Sequence, residues 1–152
     1  MKRQAGFSLI ELMTVIAIMA ILAAIAIPNV FTWVATQRFN SGARDVQATV
    51  QNMRLFALKN NVWATVTFPS SPSNTYLIDK WNTGATETQT LPSGVTVSST
   101  FTDGKLRFNS RGMPIDSLGA ATFGTITVTG QIGNSVKSIN IIVNLTGRVQ
   151  FG

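Results

Sequence analysis

A run of apolar residues from Phe7 to Ala35, interrupted by a single charged side chain, Glu11, constrains this chain more than any other feature. Its most apolar part is Leu12–Ile27, and with the apolar residues on either side it reaches the length at which a helix spans a bilayer. Lys2 and Arg3 precede the run, and cations there favour retention of that end in the cytoplasm. We therefore expect one membrane span, with the rest of the chain on the far side.

Two interpretations of this segment differ in where the chain is cleaved. A secretory signal peptide would end at the small residues Ala24–Ala26, just before Pro28. Cleavage after Gly6 would instead keep the whole apolar run in the mature protein. A carboxylate such as Glu11 costs several kcal/mol in hydrocarbon unless it is neutralised. Cleavage after Gly6 creates an ammonium group at Phe7, about one helical turn from Glu11, and the same cation on an adjacent subunit would compensate the carboxylate.

The order of residues at this end resembles a known signature. Gly6-Phe7-Ser8-Leu9-Ile10-Glu11, after a short basic leader and before an unbroken apolar helix, resembles the prepilin motif of type IV pilins and type II secretion pseudopilins. The resemblance implies that a membrane-embedded prepilin peptidase cuts between Gly6 and Phe7 and methylates the Phe7 amine. It also implies that Glu11 engages the Phe7 amine of a neighbouring subunit during assembly. Pro28 falls where that family often bends its long helix.

Beyond Pro28 the sequence becomes amphipathic, with apolar residues spaced alternately by four and three positions: Phe39, Ala43, Val46, Val50, Met53 and Ala57. This spacing is typical of one face of an α-helix. We expect one helix from about Ser8 to Lys59, ending at Asn60-Asn61 because Asn tolerates the left-handed conformation at helix ends. Phe39, Met53 and Phe56 are predicted to cover the sheet of a globular head.

From residue 62 onward the pattern favours β-structure. The predicted fold is α+β, a long membrane-spanning helix packed on a small antiparallel β-sheet head without a second helix. Trp63 and Trp81 could be exposed ligand platforms, but a strand tryptophan is more often buried, so both are expected in the core. Residues 82–90 are expected to be a polar loop. The predicted domains are a leader (1–6), an assembly helix (7–35), its amphipathic continuation (36–60) and the head (61–152). About seven strands are expected, near 62–68, 75–81, 95–100, 105–109, 124–129, 136–143 and 147–151.

The composition excludes several function classes. The chain has 152 residues with no cysteine and no histidine, which excludes disulfides, thiolate nucleophiles, imidazole chemistry and zinc sites built on those residues. Six carboxylates are scattered along it, so none forms a sequence-local catalytic pair: Glu11, Asp45, Asp79, Glu87, Asp103 and Asp116. We therefore expect a non-enzymatic protein with no catalytic residues, no metal and no cofactor.

Three short segments of the head resemble a particular family. Phe108–Pro114, Gly124–Val128 and Gly147-Arg148-Val149 look like the head of the GspH/FimT family of minor pseudopilins and minor type IV pilins. The resemblance implies a low-copy filament subunit that initiates or caps assembly. Its implied partners are other pilin or pseudopilin subunits, the prepilin peptidase and the inner membrane. The chain would first sit in that membrane with a periplasmic head, and would then enter a pilus or pseudopilus.

DNA binding for natural transformation is the alternative function. The net charge is +6, but from residue 60 onward six basic residues face four acidic ones, so no broad basic platform is indicated. Some members with FimT-type heads bind DNA around a Gly-Arg-x-Arg element, which here is Gly147-Arg148-Val149-Gln150 and lacks the second arginine. The candidate DNA-binding residues could equally be ordinary solvated charges: Lys105, Arg107, Arg111, Lys137 and Arg148. Lys105 and Arg107 share a face if their segment is a strand.

Overall fold

The long predicted helix is present in the structure, a computed structural model that describes residues 7–69, 71–81 and 83–152. Helix α1 spans Leu9–Asn60, within one residue of the predicted limits at each end, and is the only helix in these described ranges. Asn61 follows it with a φ of 53°, so the expected left-handed stop is confirmed. The helix continues through Pro28, and the predicted bend there stays a prediction. Gly6 and the rest of the predicted leader lie outside the described residues.

The chain divides into two compact units, with the boundary between Val34 and Ala35. In the first unit, the large apolar side chains from Phe7 to Trp33 are exposed. This part of α1 is long and apolar enough to cross a membrane by length and composition. The second unit contains the rest of α1 and all the strands.

The described part of the head contains nine strands in two antiparallel sheets. Sheet A has the order β3-β2-β1-β5-β6, and sheet B has the order β4-β7-β8-β9. The predicted fold class, one long helix on antiparallel β-structure, is confirmed. The strands are β1 (Ala64–Thr67), β2 (Thr75–Asp79), β3 (Glu87–Thr90), β4 (Val95–Ser99), β5 (Lys105–Phe108), β6 (Pro114–Ile115), β7 (Gly124–Ile132), β8 (Ser135–Val143) and β9 (Val149–Phe151).

The core of the second unit lies between the two sheets and the apolar stripe of α1. The six residues of the predicted stripe, from Phe39 to Ala57, are each 3% exposed or less. They form one buried cluster with residues of both sheets, such as Leu106 and Ile126. Contact is so close at Gly130 that a Cβ there would lie 2.6 Å from the Phe39 ring. The 3.6-residue periodicity of the sequence is therefore explained by burial of one helix face.

The sequence pattern does not predict two of the strands, β3 and β6. Strand β3 falls within the predicted polar loop 82–90 and pairs with β2 at the edge of sheet A. Its side chains are polar and mostly exposed, so its pairing depends on backbone hydrogen bonds and leaves no apolar alternation in the sequence. Strand β6 has only two residues, too few for any periodic pattern.

The predicted burial of two tryptophans is wrong. Trp63 is 44% exposed and Trp81 is 56% exposed, because Trp63 precedes β1 and Trp81 follows β2 rather than lying inside a strand. The ring of Trp81 meets the ring of Phe56 edge to face, with 5.0 Å between their centroids. Phe56 is accordingly only partly buried, at the margin of the core.

Candidate functional site

The predicted assembly segment lies at the start of α1. Glu11 is in the first turn of the helix, where a carboxylate interacts favourably with the helix dipole. Its backbone amide donates to the carbonyl of Ser8 at 3.1 Å, so the helix is established at this residue. The surrounding side chains are exposed, with Phe7 at 83% and Leu9 at 76%. Among the described residues, Glu11 has no ion-pair partner.

Two of the candidate DNA-binding residues lie on β5. Lys105 and Arg107 occupy alternate positions of that strand, so they share one face, as expected if this segment is a strand. Lys105 is exposed. Arg107 is different, since its side chain is only 14% exposed and its guanidinium forms an ion pair with Asp103. The same hydrogen bond from Arg107 lowers the pKa of the Asp103 carboxyl below its usual range.

Two other candidates, Arg111 and Arg148, lie next to turns that contact each other. Arg54 of α1 joins these turns, because its Nε donates to the carbonyl oxygen of Gly112 at 3.0 Å and its Nη2 donates to that of Thr146 at 3.2 Å. A Cβ added to Gly147 would lie 2.3 Å from the Gly112 oxygen, so only glycine allows this approach. The structure therefore places Arg111 and Arg148 near each other, beside Arg54.

The local sequence explains the shape of the first of these turns. Asn109 accepts hydrogen bonds at its Oδ1 from the backbone amides of Arg111 and Met113, at 2.9 and 3.0 Å. Such an Asx turn organises its own backbone through local hydrogen bonds. Gly112 then adopts a φ of 69°, a left-handed conformation that glycine accepts at no steric cost. The Asn-x-x-Gly spacing thus favours this turn, in which Arg111 is exposed.

The fifth candidate, Lys137, is separate. It lies on β8 opposite Gly130 of β7, in sheet B, and is exposed. The five candidate residues therefore fall in three places: β5 of sheet A, the two turns beside Arg54, and β8. Sequence reasoning missed Arg54, whose partners lie 58 and 92 residues away in the chain. No local pattern signals contacts at such separations.

Tyr76 fixes α1 against sheet A from inside the core. Its side chain is 1% exposed, and its hydroxyl donates to Thr49 Oγ1 at 3.0 Å, with Asp45 Oδ2 3.5 Å away. Burial is the main cause that raises the pKa of Tyr76 to about 12, and the nearby negative charge of Asp45 adds to it. The phenol therefore stays protonated into the alkaline range and continues to donate to the helix.

The described residues contain no cluster of three or more acidic side chains that could hold a metal ion. The geometry instead offers an exposed apolar helix with one carboxylate at its start, and a head with small basic groups on its surface. Such an arrangement can associate with other helices and with anionic partners.

Comparison with known proteins agrees with this description. A family model for the prokaryotic N-terminal methylation motif matches residues 1–27. A second model, type II transport protein GspH, matches residues 42–147, which is more than half of the chain. No curated protein matches the chain significantly in sequence.

The solved structures give the fold. The type IV minor pilin FimU of Pseudomonas aeruginosa strain PAO1 is similar with a TM-score of 0.60 and 15% identity, over 77% of this chain and 90% of that one. A second crystal form of FimU is similar with a TM-score of 0.56 and 14% identity, over 74% of this chain and 91% of that one. The family predicted from the motifs is confirmed: this chain belongs to the GspH family and is a pilin-like subunit of the type IV pilus or type II secretion class.

Proposed function

We propose that this chain is a minor, non-enzymatic subunit that initiates or caps a filament of the type IV pilus or type II secretion kind. The observation that carries the proposal is the start of α1, where Glu11 is the only charged residue in an exposed apolar surface. Such a surface needs lipid or other helices around it. The family and the fold, which are those of structural pilin subunits, support the same role.

Assembly follows from the properties of this segment. The inner membrane first holds the apolar half of α1, with the head in the periplasm. A prepilin peptidase cuts between Gly6 and Phe7, and the Phe7 amine becomes methylated. The helix then leaves lipid for the helices of other subunits, which are equally apolar. Because an unpaired carboxylate is costly there, Glu11 favours the one axial position at which a neighbour's Phe7 amine lies beside it.

The mass of the mature protein tests the processing step. A chain beginning at Phe7 supports the prepilin interpretation, and a chain beginning at Ile27 would show that signal peptidase removes the apolar run instead. Replacement of Gly6 by a larger residue, Gly6→Leu, should leave the leader attached. Ala5→Leu is the matched control within the leader and should be processed normally.

The initiating or capping role needs its own experiment. Deletion of the gene should reduce the number of filaments strongly, although the protein itself amounts to only a few copies per filament. Filaments are counted by electron microscopy, and copy number is measured by quantitative mass spectrometry of sheared filaments. A copy number close to that of the bulk subunit would contradict a minor role.

DNA binding is a second candidate, favoured by the contact between the two turns beside Arg54. A surface depression of about 250 Å³ there is lined by Gln51, Arg54, Leu55, Gly147, Arg148 and Val149. Arg111 is adjacent in sequence to Gly112 of the other turn, so the backbones of three cationic residues, Arg54, Arg111 and Arg148, come together here. Three cations are few beside the basic platforms of most DNA-binding domains, and we keep this function second.

The test is a titration of the full chain in detergent micelles with short duplex DNA at low and near-physiological salt. If DNA binds here, affinity falls with salt, and Arg148→Ala lowers the slope of log affinity against log salt by about 0.9 per lost phosphate contact. Arg44→Ala, an exposed arginine on α1, is the control. Equal binding by both variants would exclude the Arg148 site.

A further inference from the structure

A polar cavity on sheet A is not explained by filament assembly. Five of its residues come from adjacent strands: Thr65 and Thr67 of β1, Asp79 of β2, and Lys105 and Arg107 of β5. Thr65 pairs directly with Asp79 on one side and with Arg107 on the other, and Thr67 pairs with Lys105. Residues paired in this way project from the same face of a sheet. Their neighbours Ala64 and Val66 face the buried core, so the polar row lies on the outer face.

This outer face is covered rather than flat. Gly84 and Thr86, which follow β2, complete the lining of a half-open depression of about 280 Å³. Asp79 holds the connection after β2, because its carboxylate accepts hydrogen bonds from the backbone amides of Trp81, Thr83 and Gly84, at 3.2, 3.1 and 2.7 Å. Thr65 and Asp79 are consequently only 5% and 7% exposed, although they belong to the outer side of the sheet.

The charged groups of the lining that lack a partner are hydrogen-bond donors rather than acceptors. Asp79, the only carboxylate of the lining, already receives three amide hydrogens. Lys105 forms no ion pair within the described part of the chain. Arg107 uses Nη2 for Asp103, while its Nη1 is buried and has no hydrogen-bond partner among the described residues. An unmet buried donor costs about 1–3 kcal/mol, so an acceptor oxygen brought to Arg107 would be stabilised.

We propose that this cavity binds a carboxylate group. Arg107 can donate to one carboxylate oxygen through Nη1, and the ammonium of Lys105 can add a second charge-assisted hydrogen bond. The volume suits a group of the size of acetate or succinate and is below the range of ordinary drug-sized pockets. The carboxylate is either that of a free small molecule or that of an acidic side chain on a neighbouring subunit. Binding of a carboxylate does not depend on the filament role and can fail or hold separately; only a neighbouring subunit as its source rests on that role.

The experiment uses the full chain in detergent micelles, with the backbone amide signals of Gly84 and Thr86 followed by NMR. Three probes are titrated: succinate, glutamate blocked at its amino and α-carboxyl groups, and inorganic phosphate. We expect saturable shifts with at least one of the two carboxylates. Tighter binding of blocked glutamate favours a subunit side chain as the source, and tighter binding of succinate favours a free ligand.

Lys105→Gln is the test variant, because Lys105 is exposed and its replacement leaves the core intact. It should weaken binding about tenfold or more, which corresponds to roughly 1.4 kcal/mol. Lys137→Gln, an exposed lysine on sheet B, is the matched control and should bind like the unmodified protein. The proposal is overturned if neither carboxylate gives saturable shifts, if both variants bind equally well, or if phosphate binds more tightly than both carboxylates.

Discussion

The two halves of α1 have similar apolar residues in opposite environments. In the first half Ile18 is 53% exposed and Leu22 is 61% exposed, on a helix whose apolar side chains cover all its faces. In the second half Val46 and Val50 are fully buried, and the polar residues lie on the other faces. Only the second half is amphipathic, and only it contributes to the core of the head. The apolar residues of the second half therefore stabilise the folded head, whereas those of the first half stay exposed and available for contact with lipid or other helices.

This separation has an energetic meaning. Full burial of a Val, Leu, Ile or Met side chain stabilises a protein by about 1.5–3 kcal/mol. The second half of α1 has already gained this stabilisation on folding. The apolar side chains of the first half would gain this stabilisation only if lipid or other helices covered them. Substitutions in the two halves should therefore change different measurements.

The largest expected effect is at Glu11. In Glu11→Ala the leader is still removed, because the cleaved bond lies between Gly6 and Phe7, but the protein fails to enter filaments. The physical reason is the loss of the carboxylate that would pair with the amine of a neighbouring subunit. Incorporation is measured by immunoblotting of sheared filaments, and processing by the mass of the membrane-bound form.

Glu87→Ala is the control for this experiment, since Glu87 is an exposed carboxylate of the head whose partner is Lys80. It should be processed and incorporated normally. Normal incorporation of Glu11→Ala would show that axial register does not depend on this carboxylate.

The next effect compares two methionines of the same helix. Met53 is 3% exposed, whereas Met19 is 64% exposed. We expect Met53→Ala to lower the free energy of unfolding of the head by about 2–5 kcal/mol, because it leaves a cavity between α1 and the sheets. Met19→Ala should change it by less than about 0.5 kcal/mol. Urea unfolding followed by tryptophan fluorescence measures both, and equal losses would break the distinction between the two halves.

The sequence predicts features that leave a periodic or contiguous pattern, and it does not predict features that depend on backbone pairing or on contacts made only in the fold. Periodicity alone identifies the buried stripe from Phe39 to Ala57, because one helix face repeats every three or four residues. The Gly6–Glu11 segment is recognisable because its residues are contiguous. The edge strand β3 could not be predicted, since backbone pairing leaves no mark on its polar side chains. Neither could the burial of Asp79, which depends on three amides of the connection that follows it.

A smaller effect concerns Tyr76, which joins sheet A to the second half of α1. Its pKa is raised to about 12 in the folded protein, against 10 for the ordinary phenol. A raised pKa contributes stability that is complete below pH 10 and is lost as the pH rises towards 12. The difference between 10 and about 12 corresponds to a contribution of at most about 2.7 kcal/mol to the free energy of unfolding.

Tyr76→Phe tests this dependence, because phenylalanine does not ionise. At neutral pH the variant loses the hydrogen bond to Thr49, worth about 0.5–1.5 kcal/mol. Between pH 10 and 12 the unmodified protein should lose stability faster than the variant, as measured by urea unfolding at pH 7, 9 and 11. Parallel pH profiles for the two proteins would mean that the buried phenol does not control alkaline stability.

The most local effect is at Arg54, where the second half of α1 does more than fill the core. One guanidinium holds both turns, through the carbonyl oxygens of Gly112 and Thr146. Arg54→Met keeps much of the aliphatic stem and removes both hydrogen bonds, so we expect a loss of about 1–2 kcal/mol from a partly exposed site. Arg44→Met, at an exposed position of the same helix, should change stability by less than about 0.5 kcal/mol.

Hydrogen exchange adds the sharper readout: the backbone amides of Gly112 and Gly147 should exchange faster in Arg54→Met alone, while those of β7 and β8 stay unchanged. Faster exchange throughout the head would instead mean that Arg54 supports the whole fold, and that the two turns have no separate attachment to the helix.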